Sequence, residues 1–353
     1  MAQEMMRAAL QYGIDDIRIG EVPKPECPKD GMLMKVCYVT TCGTDVKTFK
    51  RGYVGRTFDE PKVFGHEASG IVAEVGPDCP KQLPLGTRIM VHDSVSCGNC
   101  FWCKRDQANL CENLTPLGGT WCEYVVVPKR FVEKSLYLIP DDMPLDVAPA
   151  VEPMASATFC ADLSDVKLGD YVAVNGAGPL GLGIIRCVTS MGGRVICCDK
   201  SASRLELAKK MGAEWTIQVT DDLDQVKAVR ELTPNGRGVD VAIEVVGLPI
   251  TWELTLKMAR KGGIVIEFAG CKPGSSIEID TQWLHYSHVT IKGIFHATPF
   301  SEDTSYDLIR RGVLTRDVLI TGEYTLDNCV QALEDHYHQI GIKNLIKIAD
   351  ETL

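Results

Sequence analysis

Residues 175–183 read NGAGPLGLG, and this stretch decides the fold of the second half of the chain. Its glycines Gly176, Gly178 and Gly181 form a G-x-G-x-x-G pattern between a strand-like segment (YVAVN) and a helix-like one (PLGLGIIRCVTSM). The first glycine permits a tight turn, the second lets the backbone approach a pyrophosphate, and the third allows close helix-to-strand packing. Pro179 suits a first helical position, where no N–H is needed. The helix N-terminus offers free N–H groups to phosphates, so the stretch predicts dinucleotide binding.

An acidic residue ends the next strand. RVICCD finishes at Asp199, 18 residues after Gly181. A carboxylate there can accept hydrogen bonds from the adenosine ribose and repels a 2′-phosphate, which favours NAD over NADP. A solvated strand end is the alternative interpretation of Asp199, and the positive charges of Lys200 and Arg204 are the features that favour a phosphate. The candidates for cofactor binding are Gly176, Gly178, Pro179, Leu180, Gly181, Asp199, Lys200 and Arg204.

Strands and helices alternate on both sides of this turn, from about residue 160 to residue 270. Apolar strands joined by helices predict an α/β domain with a doubly wound parallel sheet. Before residue 160, short β-like stretches such as GMLMKVCYV and SGIVAEVG are separated by Gly and Pro, which predicts a twisted, mostly antiparallel sheet or barrel. We therefore expect domains at 1–155 and 156–295, with a segment at 296–353 that returns to the first domain.

Four cysteines lie close together in the first domain, in the segment CGNCFWCKRDQANLC. Four thiolates at this spacing can close a tetrahedral zinc site with no open position, which is typical of structural zinc. Disulfides are the rival interpretation, but cysteines separated by two residues pair poorly within disulfide geometry. Similar loops occur in nucleic-acid-binding modules, so the loop alone does not indicate an enzyme. The predicted ligands are Cys97, Cys100, Cys103 and Cys111.

The bulk composition narrows the class of protein. The chain has 353 residues, of which 45% are hydrophobic and 24% charged, as in ordinary globular proteins. Its net charge of −10 has the wrong sign for a nucleic-acid-binding surface. We see no apolar signal segment and no run of the ~20 apolar residues that would span a membrane. The 15 cysteines are therefore expected in a reducing cytoplasm, as metal ligands or buried apolar residues.

Further metal-ligand candidates lie in TTCGTD, FGHE and VEPM. These segments contain Cys42, His66, Glu67 and Glu152. A thiolate, an imidazole and one or two carboxylates suit a zinc ion that keeps a position open for water or substrate. Taken singly, each residue has an ordinary structural explanation, such as a small core cysteine. The dinucleotide turn and the four-cysteine loop are what favour a site here.

The order CGTD, GHE, four-cysteine loop, VEPM and GAGPLG resembles the zinc-dependent medium-chain dehydrogenase/reductase family over essentially the whole chain. The resemblance implies a GroES-like, β-rich catalytic domain and a Rossmann domain, with the active site in the cleft between them. It implies that Cys42 and His66 ligate a catalytic zinc and that Glu67 and Glu152 complete the ligand set directly or through water. One catalytic and one structural zinc per subunit follow.

The same resemblance gives roles to residues beside the metal. Thr44 matches the hydroxyl next to the zinc-bound oxygen, and Asp45 matches the carboxylate that orients the histidine ligand. Thr44 is expected to accept the departing proton, and Lys47 is a candidate for a later relay. The catalytic candidates are Thr44, Glu67, Glu152 and Lys47.

The residue at position 152 distinguishes the branches of the family. Simple alcohol dehydrogenases place a cysteine there, whereas Glu followed by Pro resembles the polyol (sorbitol) dehydrogenase branch. Lys47 stands where polyol and threonine dehydrogenases often have histidine. In the segment GIFHA, His296 stands where the sorbitol dehydrogenase pattern, GIFRY, has arginine. We therefore expect a rebuilt substrate pocket. Trp121 either lines that pocket or fills the core.

These features predict an NAD-dependent oxidoreductase that converts a secondary alcohol of a polyol, cyclitol or sugar-like substrate into a ketone. The resemblance implies that zinc makes the alkoxide accessible near neutral pH and that the alkoxide transfers hydride to nicotinamide. L-Threonine 3-dehydrogenase and simple alcohol dehydrogenase are the alternative enzymes. A zinc-stabilised nucleic-acid-binding protein and a silent nucleotide-sensing or scaffold protein are the non-enzyme alternatives. The expected partner is a small-molecule alcohol, without nucleic acid or membrane, in a homodimer or homotetramer.

Overall fold

A computed structural model describes residues 3–52 and 60–353. The α-helices of this part are α1 (Gly43–Arg51), α2 (Lys129–Lys134), α3 (Val151–Leu163), α4 (Pro179–Ser190), α5 (Ala202–Lys210), α6 (Gln225–Glu231), α7 (Pro249–Met258), α8 (Thr281–Ser287), α9 (Pro299–Arg310), α10 (Arg316–Leu319) and α11 (Cys329–Tyr337). None of these helices is long and apolar enough to cross a membrane.

The strands of the same residues are β1 (Met5–Gly13), β2 (Asp16–Pro23), β3 (Met32–Thr40), β4 (Lys62–Val63), β5 (Ala68–Val75), β6 (Arg88–Val91), β7 (Ser94–Val95), β8 (Thr115–Pro116), β9 (Tyr124–Val127), β10 (Leu136–Leu138), β11 (Tyr171–Asn175), β12 (Arg194–Asp199), β13 (Trp215–Gln218), β14 (Val239–Glu244), β15 (Ala259–Glu267), β16 (Thr290–Gly293), β17 (Ile320–Thr325) and β18 (Lys343–Lys347). They divide between two compact units. Unit 1 combines Met1–Pro153 with Thr298–Leu353, and unit 2 is Met154–Ala297.

Unit 2 is built on a six-stranded sheet in the order β13-β12-β11-β14-β15-β16. Every neighbouring pair is parallel. The central strands are apolar and buried along most of their length because helices cover parallel sheets on both faces. The strand order reverses between β11 and β14, which makes their carboxyl ends the switch point where ligands bind in such folds. The predicted doubly wound parallel sheet is confirmed.

Unit 1 is β-rich, as predicted. Its main sheet runs β10-β6-β5-β3-β18-β17, with β9 also paired to β3, and a second sheet runs β2-β1-β4. Pairing is antiparallel throughout the main sheet except between β17 and β18. β18 lies directly beside β3, with Leu345 opposite Thr40. The C-terminal segment therefore completes the sheet that carries the N-terminal motifs.

Trp121 belongs to the core of unit 1. Its side chain has no exposed surface and packs edge-on against Phe64, with ring centroids 5.1 Å apart. A Cβ atom at Gly65 would lie 2.0 Å from the indole Cδ1, so this position requires glycine. Of the two alternatives for Trp121, the geometry favours the core-filling one.

Candidate active site

The predicted cysteine, histidine and glutamate of unit 1 converge. Cys42 is the N-cap residue of α1, and His66 and Glu67 immediately precede β5. One ligand atom from each of the three lies within 4.8 Å of the others. A thiolate, an imidazole and a carboxylate in this arrangement fit a zinc ion with a fourth position open.

Asp45 fixes two members of this group at once. One carboxylate oxygen accepts a hydrogen bond from the Cys42 backbone N–H at 3.0 Å, and the other lies 2.9 Å from His66 Nδ1. This contact leaves Nε2 as the ring nitrogen that can bind a metal, and it orients the ring as carboxylates behind ligating histidines do. The Cys42 sulfur accepts from the Thr44 N–H at 3.4 Å, at the start of α1. The residues present therefore fit the predicted metal.

Burial and neighbouring charges shift the pKa values of Cys42 and His66. Burial raises the pKa of the Cys42 thiol, and the neighbouring Glu67 carboxylate raises it further. Burial opposes protonation of His66, but the charge and hydrogen bond of Asp45 outweigh it and raise the pKa of His66 well above its usual value. A bound divalent cation would relieve both effects, because it favours the thiolate and the neutral imidazole.

Glu67 has a partner that the sequence did not predict. The ammonium of Lys343, on β18, contacts both of its carboxylate oxygens at 2.6 and 2.8 Å, and Thr40 donates a further hydrogen bond to it. Glu67 and Lys343 are each 1% exposed. Burial opposes the charge on Lys343, but Glu67 outweighs this and raises the pKa of the lysine. Glu67 therefore enters the site as a carboxylate of fixed orientation.

Glu152 does not join this group. It is the second residue of α3 and 7% exposed, and its carboxylate lies within 4.8 Å of ligand atoms of His92 and Asp93. Burial and the charge of Asp93 raise the pKa of Glu152 to about 8. Glu67 and His66 also influence this pKa, so Glu152 lies near the group formed by Cys42, His66 and Glu67. His92 was not predicted as a site residue, although HD directly after a strand and before the cysteine loop was a possible signal.

The remaining catalytic candidates lie on or near the surface. Thr44 and Lys47 are exposed on α1, three residues apart and so on neighbouring positions of one helix face.

His296, the residue expected in a rebuilt substrate pocket, lies in unit 2 with a positive φ of 65°, and its ring lies 5.8 Å from that of Phe295.

The four cysteines of the loop converge as predicted. Their sulfur atoms lie within 4.8 Å of one another, with separations of 3.5 Å for Cys100–Cys103 and 3.9 Å for Cys97–Cys103 and Cys100–Cys111. Four ligands around zinc at ~2.3 Å lie about 3.8 Å apart, whereas a disulfide needs about 2.05 Å. Backbone N–H groups, foremost that of Asn99, lower the pKa of Cys97 to about 6. The loop therefore fits a tetrahedral metal ion.

The glycine turn of unit 2 has the geometry that its pattern predicts. Gly176 has φ +118°, and α4 begins at Pro179 with Gly178 as its N-cap residue. A Cβ at Gly181 would lie 2.0 Å from the Gly176 carbonyl oxygen, so helix and turn can pack only with glycine there. A Cβ at Gly178 would meet none of the described atoms within 4 Å, which leaves the space beside it open for a ligand. Leu180 is half-buried in the first turn of α4.

Asp199 is anchored to this turn. One of its carboxylate oxygens accepts from the Ala177 N–H at 2.7 Å and the other from the Ser201 N–H at 2.8 Å. Arg204 is 9% exposed on α5, and burial lowers its pKa although Asp199 opposes this. Lys200 is exposed, with its ammonium 3.8 Å from Asp221. The carboxylate therefore has a fixed position beside the glycines.

Known proteins share both halves of this arrangement. The family described as alcohol dehydrogenase GroES-like domain matches residues 28–141, and the family described as zinc-binding dehydrogenase matches residues 179–311. Sorbitol dehydrogenase of Bacillus subtilis (strain 168) is 30% identical over 337 residues, 93% of each chain. L-Threonine 3-dehydrogenase of Pseudoalteromonas translucida (strain TAC 125) is 31% identical over 318 residues, 87% of this chain and 89% of that protein.

A solved structure gives the same result for the fold. A zinc-binding dehydrogenase from Sinorhizobium meliloti 1021, bound to NADP, is 29% identical, with a TM-score of 0.88 over 98% of this chain and 100% of its own. The chain belongs to the zinc-dependent medium-chain dehydrogenase family. Within that family it is an alcohol/polyol dehydrogenase that uses zinc and a nicotinamide cofactor.

Proposed function

We propose that this enzyme oxidises a secondary alcohol of a polyol, cyclitol or sugar-like substrate to a ketone and transfers the hydride to NAD. The convergence of Cys42, His66 and Glu67 is the observation that carries the proposal. A thiolate, an imidazole and a carboxylate leave one position of a tetrahedral metal open, which a catalytic zinc needs and a structural zinc lacks.

Zinc at this site would act as a Lewis acid that lowers the pKa of a substrate hydroxyl. Cys42 and His66 would hold the metal, with Glu67 as the third protein ligand. Asp45 keeps the His66 ring in the ligating tautomer through the 2.9 Å contact at Nδ1. Lys343 balances the charge of Glu67, so the site carries less net negative charge than its ligand set alone would give it.

The proton of the substrate hydroxyl needs a path to solvent. Thr44 accepts it and passes its own hydroxyl proton to solvent, since the residue lies two positions from Cys42 at the exposed start of α1. Lys47, three residues further on the same helix, is the next group along the surface. A Thr44→Val variant removes this hydroxyl at similar size and should lower kcat by two orders of magnitude or more, about the contribution of a general acid–base group. Thr44→Ser should retain most of the activity.

We propose NAD as the cofactor because the carboxylate of Asp199 is fixed beside the glycine turn. A 2′-phosphate next to this carboxylate would place like charges together. The Sinorhizobium meliloti structure contains NADP, so the preference of this enzyme for NAD over NADP needs a direct test. We expect Asp199→Ala to lower kcat/KM for NAD and to reduce the preference for NAD over NADP by at least about tenfold, or about 1.4 kcal/mol. Asp221→Asn, a nearby exposed carboxylate, is the matched control.

We further propose a second, structural zinc in the four-cysteine loop. The sulfur separations of 3.5 to 3.9 Å support it. Such a site contributes to stability and has no open position for substrate.

The substrate is tested by NAD reduction over a panel of sugar alcohols, cyclitols, reducing sugars, simple alcohols and L-threonine, with purified zinc-loaded enzyme. Activity confined to polyols, cyclitols or sugars is the expected result. Activity on simple alcohols or L-threonine alone would contradict the proposed substrate class. L-Threonine is the second candidate because the chain is 31% identical to an L-threonine 3-dehydrogenase.

A further inference from the structure

A cavity of about 640 Å³ lies in unit 2, and its lining is basic. It is lined by four cations and three uncharged residues, namely Arg230, Arg237, Arg260 and Lys261 with Ala259, Trp283 and Ser287. No acidic residue is among the described residues of this lining. Like charges around one cavity repel each other, and an anion among them relieves the repulsion. This local positive charge contrasts with the net charge of −10 for the whole chain.

The cavity lies at the opposite edge of the sheet from the glycine turn. Arg260 and Lys261 are at the start of β15, where residues 260–263 form a bulge opposite Asp240 of β14. Bulges often redirect side chains beside binding sites. The glycine turn follows β11, and β11, β14 and β15 are parallel. The amino ends of β14 and β15 therefore lie away from the carboxyl end of β11, where the cofactor is proposed to bind.

Two of the arginines are held in place by hydrogen bonds. Arg230, in the last turn of α6, donates at 2.9 to 3.3 Å to the backbone carbonyls of Lys257, Ala259 and Arg237. Arg260 donates to the Asp240 carboxylate at 2.6 Å and to the Lys261 carbonyl at 2.7 Å. A guanidinium has five N–H groups, so each arginine keeps donors for a ligand. Because these side chains are already ordered, less conformational entropy is lost when an anion binds.

Most of the positive charge of the lining is not neutralised by the protein. Arg237 and Lys261 are exposed, and neither side chain makes a hydrogen bond or ion pair with the residues that the structure describes. Arg230 bonds to uncharged carbonyls, so within the same residues Asp240, beside Arg260, is the one carboxylate that pairs with any of the four cations. The guanidinium fork of arginine matches the oxygens of phosphate, which makes a phosphate group the anion that fits best.

An aromatic side chain borders the same cavity. Trp283, on α8, is half-buried, packs against the apolar core of unit 2 and also lines the cavity. Ser287, at the end of the same helix, adds a hydroxyl group. A tryptophan ring stacks well on a flat aromatic group such as a nucleobase. The volume is within the ~300–1,000 Å³ that is typical of small-molecule sites.

We propose that this cavity binds an organic phosphate that carries an aromatic ring, such as a nucleoside monophosphate. The four cations hold the phosphate, and Trp283 stacks on the ring. The inference goes beyond the proposed dehydrogenase function, because the cavity shares no residue with the glycine turn or with the two proposed metal groups.

The test is calorimetric titration of the full-length enzyme with guanosine monophosphate in saturating NAD, which occupies the cofactor site. We expect one molecule to bind per chain. Guanosine and inorganic phosphate each carry one of the two recognised groups, so both should bind at least about tenfold more weakly. The variant Arg237→Gln/Lys261→Gln should weaken binding of the nucleotide at least about tenfold, because two charges are lost. Trp283→Leu should weaken it about tenfold, because stacking is lost.

The control is Lys272→Gln, since Lys272 is exposed in the same unit and outside the lining of the cavity, and it should bind like the wild type. The double variant changes exposed side chains, and thermal unfolding checks that it folds. If Trp283→Leu does not fold, the double variant still decides.

No saturable binding to the wild type, or equal affinity of the wild type and the double variant, would overturn the inference. Binding that saturating NAD abolishes would also overturn it, because the nucleotide would then occupy the cofactor site. Reduction of NAD with the substrate panel tests the proposed function separately.

Discussion

The ammonium of Lys343 lies 2.6 Å from one carboxylate oxygen of Glu67 and 2.8 Å from the other, and both residues are 1% exposed. The same ammonium donates to the Thr41 carbonyl at 2.8 Å. Buried ion pairs lose so much hydration that they add little net stability over apolar residues of similar volume. The main role of the pair is therefore to orient the Glu67 carboxylate and to supply its counter-charge.

Removal of one partner tests this pair. Lys343→Met leaves the Glu67 carboxylate buried without its cation, so the free energy of unfolding should fall by about 3–5 kcal/mol. Adding Glu67→Gln should recover much of this loss. Lys347→Met is the matched control on the same strand, because Lys347 is exposed and pairs with Asp350 on the surface. Urea unfolding of the three variants and the wild type gives the comparison, and equal stability of Lys343→Met and wild type would contradict the prediction.

The glycine turn predicts opposite results for two similar substitutions. Gly181→Ala would place a Cβ 2.0 Å from the Gly176 carbonyl oxygen, so this variant should be less stable even without cofactor. Gly178→Ala meets no described atom within 4 Å, so its unfolding should resemble the wild type. Its affinity for NAD should nevertheless fall, because the new methyl group enters the space offered to the pyrophosphate. Calorimetric titration with NAD and thermal unfolding check both, and unaltered NAD binding in Gly178→Ala would argue against this pyrophosphate site.

Loss of one cysteine should empty the structural metal site proposed for the four-cysteine loop. We expect Cys103→Ser to contain one zinc per chain instead of two and to unfold at a lower temperature, with kcat of the folded fraction close to wild type. Cys27→Ser, a half-buried cysteine outside both metal groups, is the control and should keep both zinc ions. Metal analysis and thermal unfolding decide. Two zinc ions in Cys103→Ser would show that the loop is not a zinc site.

A pair of buried carboxyl groups in unit 2 predicts a pH dependence of stability. Glu244 and Glu267 end β14 and β15 in register, and they are 0% and 3% exposed. Burial, and then the charge of Glu244, raise the pKa of Glu267 to about 8. Because the folded state holds this proton more tightly than the unfolded chain, the stabilisation is complete below about pH 4.5 and is lost as the pH rises through about 8.

Glu267→Gln removes this proton and keeps the size of the side chain. Between pH 5 and 8 the wild type should lose up to about 1.4 kcal/mol per pH unit relative to the variant. Glu278→Gln, an exposed glutamate of the same unit, should follow the wild type. Urea unfolding at several pH values measures the difference, and parallel curves for wild type and Glu267→Gln would refute the assignment.

The fold was predictable because its determinants are local. The alternation of strands and helices around residues 175–183, and the glycines of that turn, act over a few residues each. The four-cysteine loop is also local, since its ligands span 15 residues. The pairing of Asp45 with His66 follows from a family motif. The strand–helix alternation, the glycine turn and the four-cysteine loop are specified by neighbouring residues and so are visible in the sequence.

The charge partners of the site were not predictable in this way. Lys343 is 276 residues from Glu67, and a lysine at the start of KNLIK is typical of an exposed strand position. Glu302 lies beside His92 because α9, which follows unit 2 in the sequence, is part of unit 1. The motifs predict that Glu152 completes the ligand set of Cys42 and His66 directly or through water, but they do not indicate that its carboxylate lies within 4.8 Å of ligand atoms of His92 and Asp93. Contacts of this kind depend on topology, which a local pattern does not contain.

The return of the C-terminal segment has a consequence for synthesis on the ribosome. β3 pairs with β18, so the sheet that positions Cys42 lacks a neighbour strand until residue 347 has left the exit tunnel. Unit 2 is one continuous stretch of the chain, so it can fold before β17 and β18 of unit 1 have been synthesised. During that interval β3 lacks its partner β18, and the proposed metal ligands Cys42 and Glu67 do not yet have Lys343 beside them. Completion of the catalytic unit therefore depends on β17 and β18, which are synthesised after the whole of unit 2.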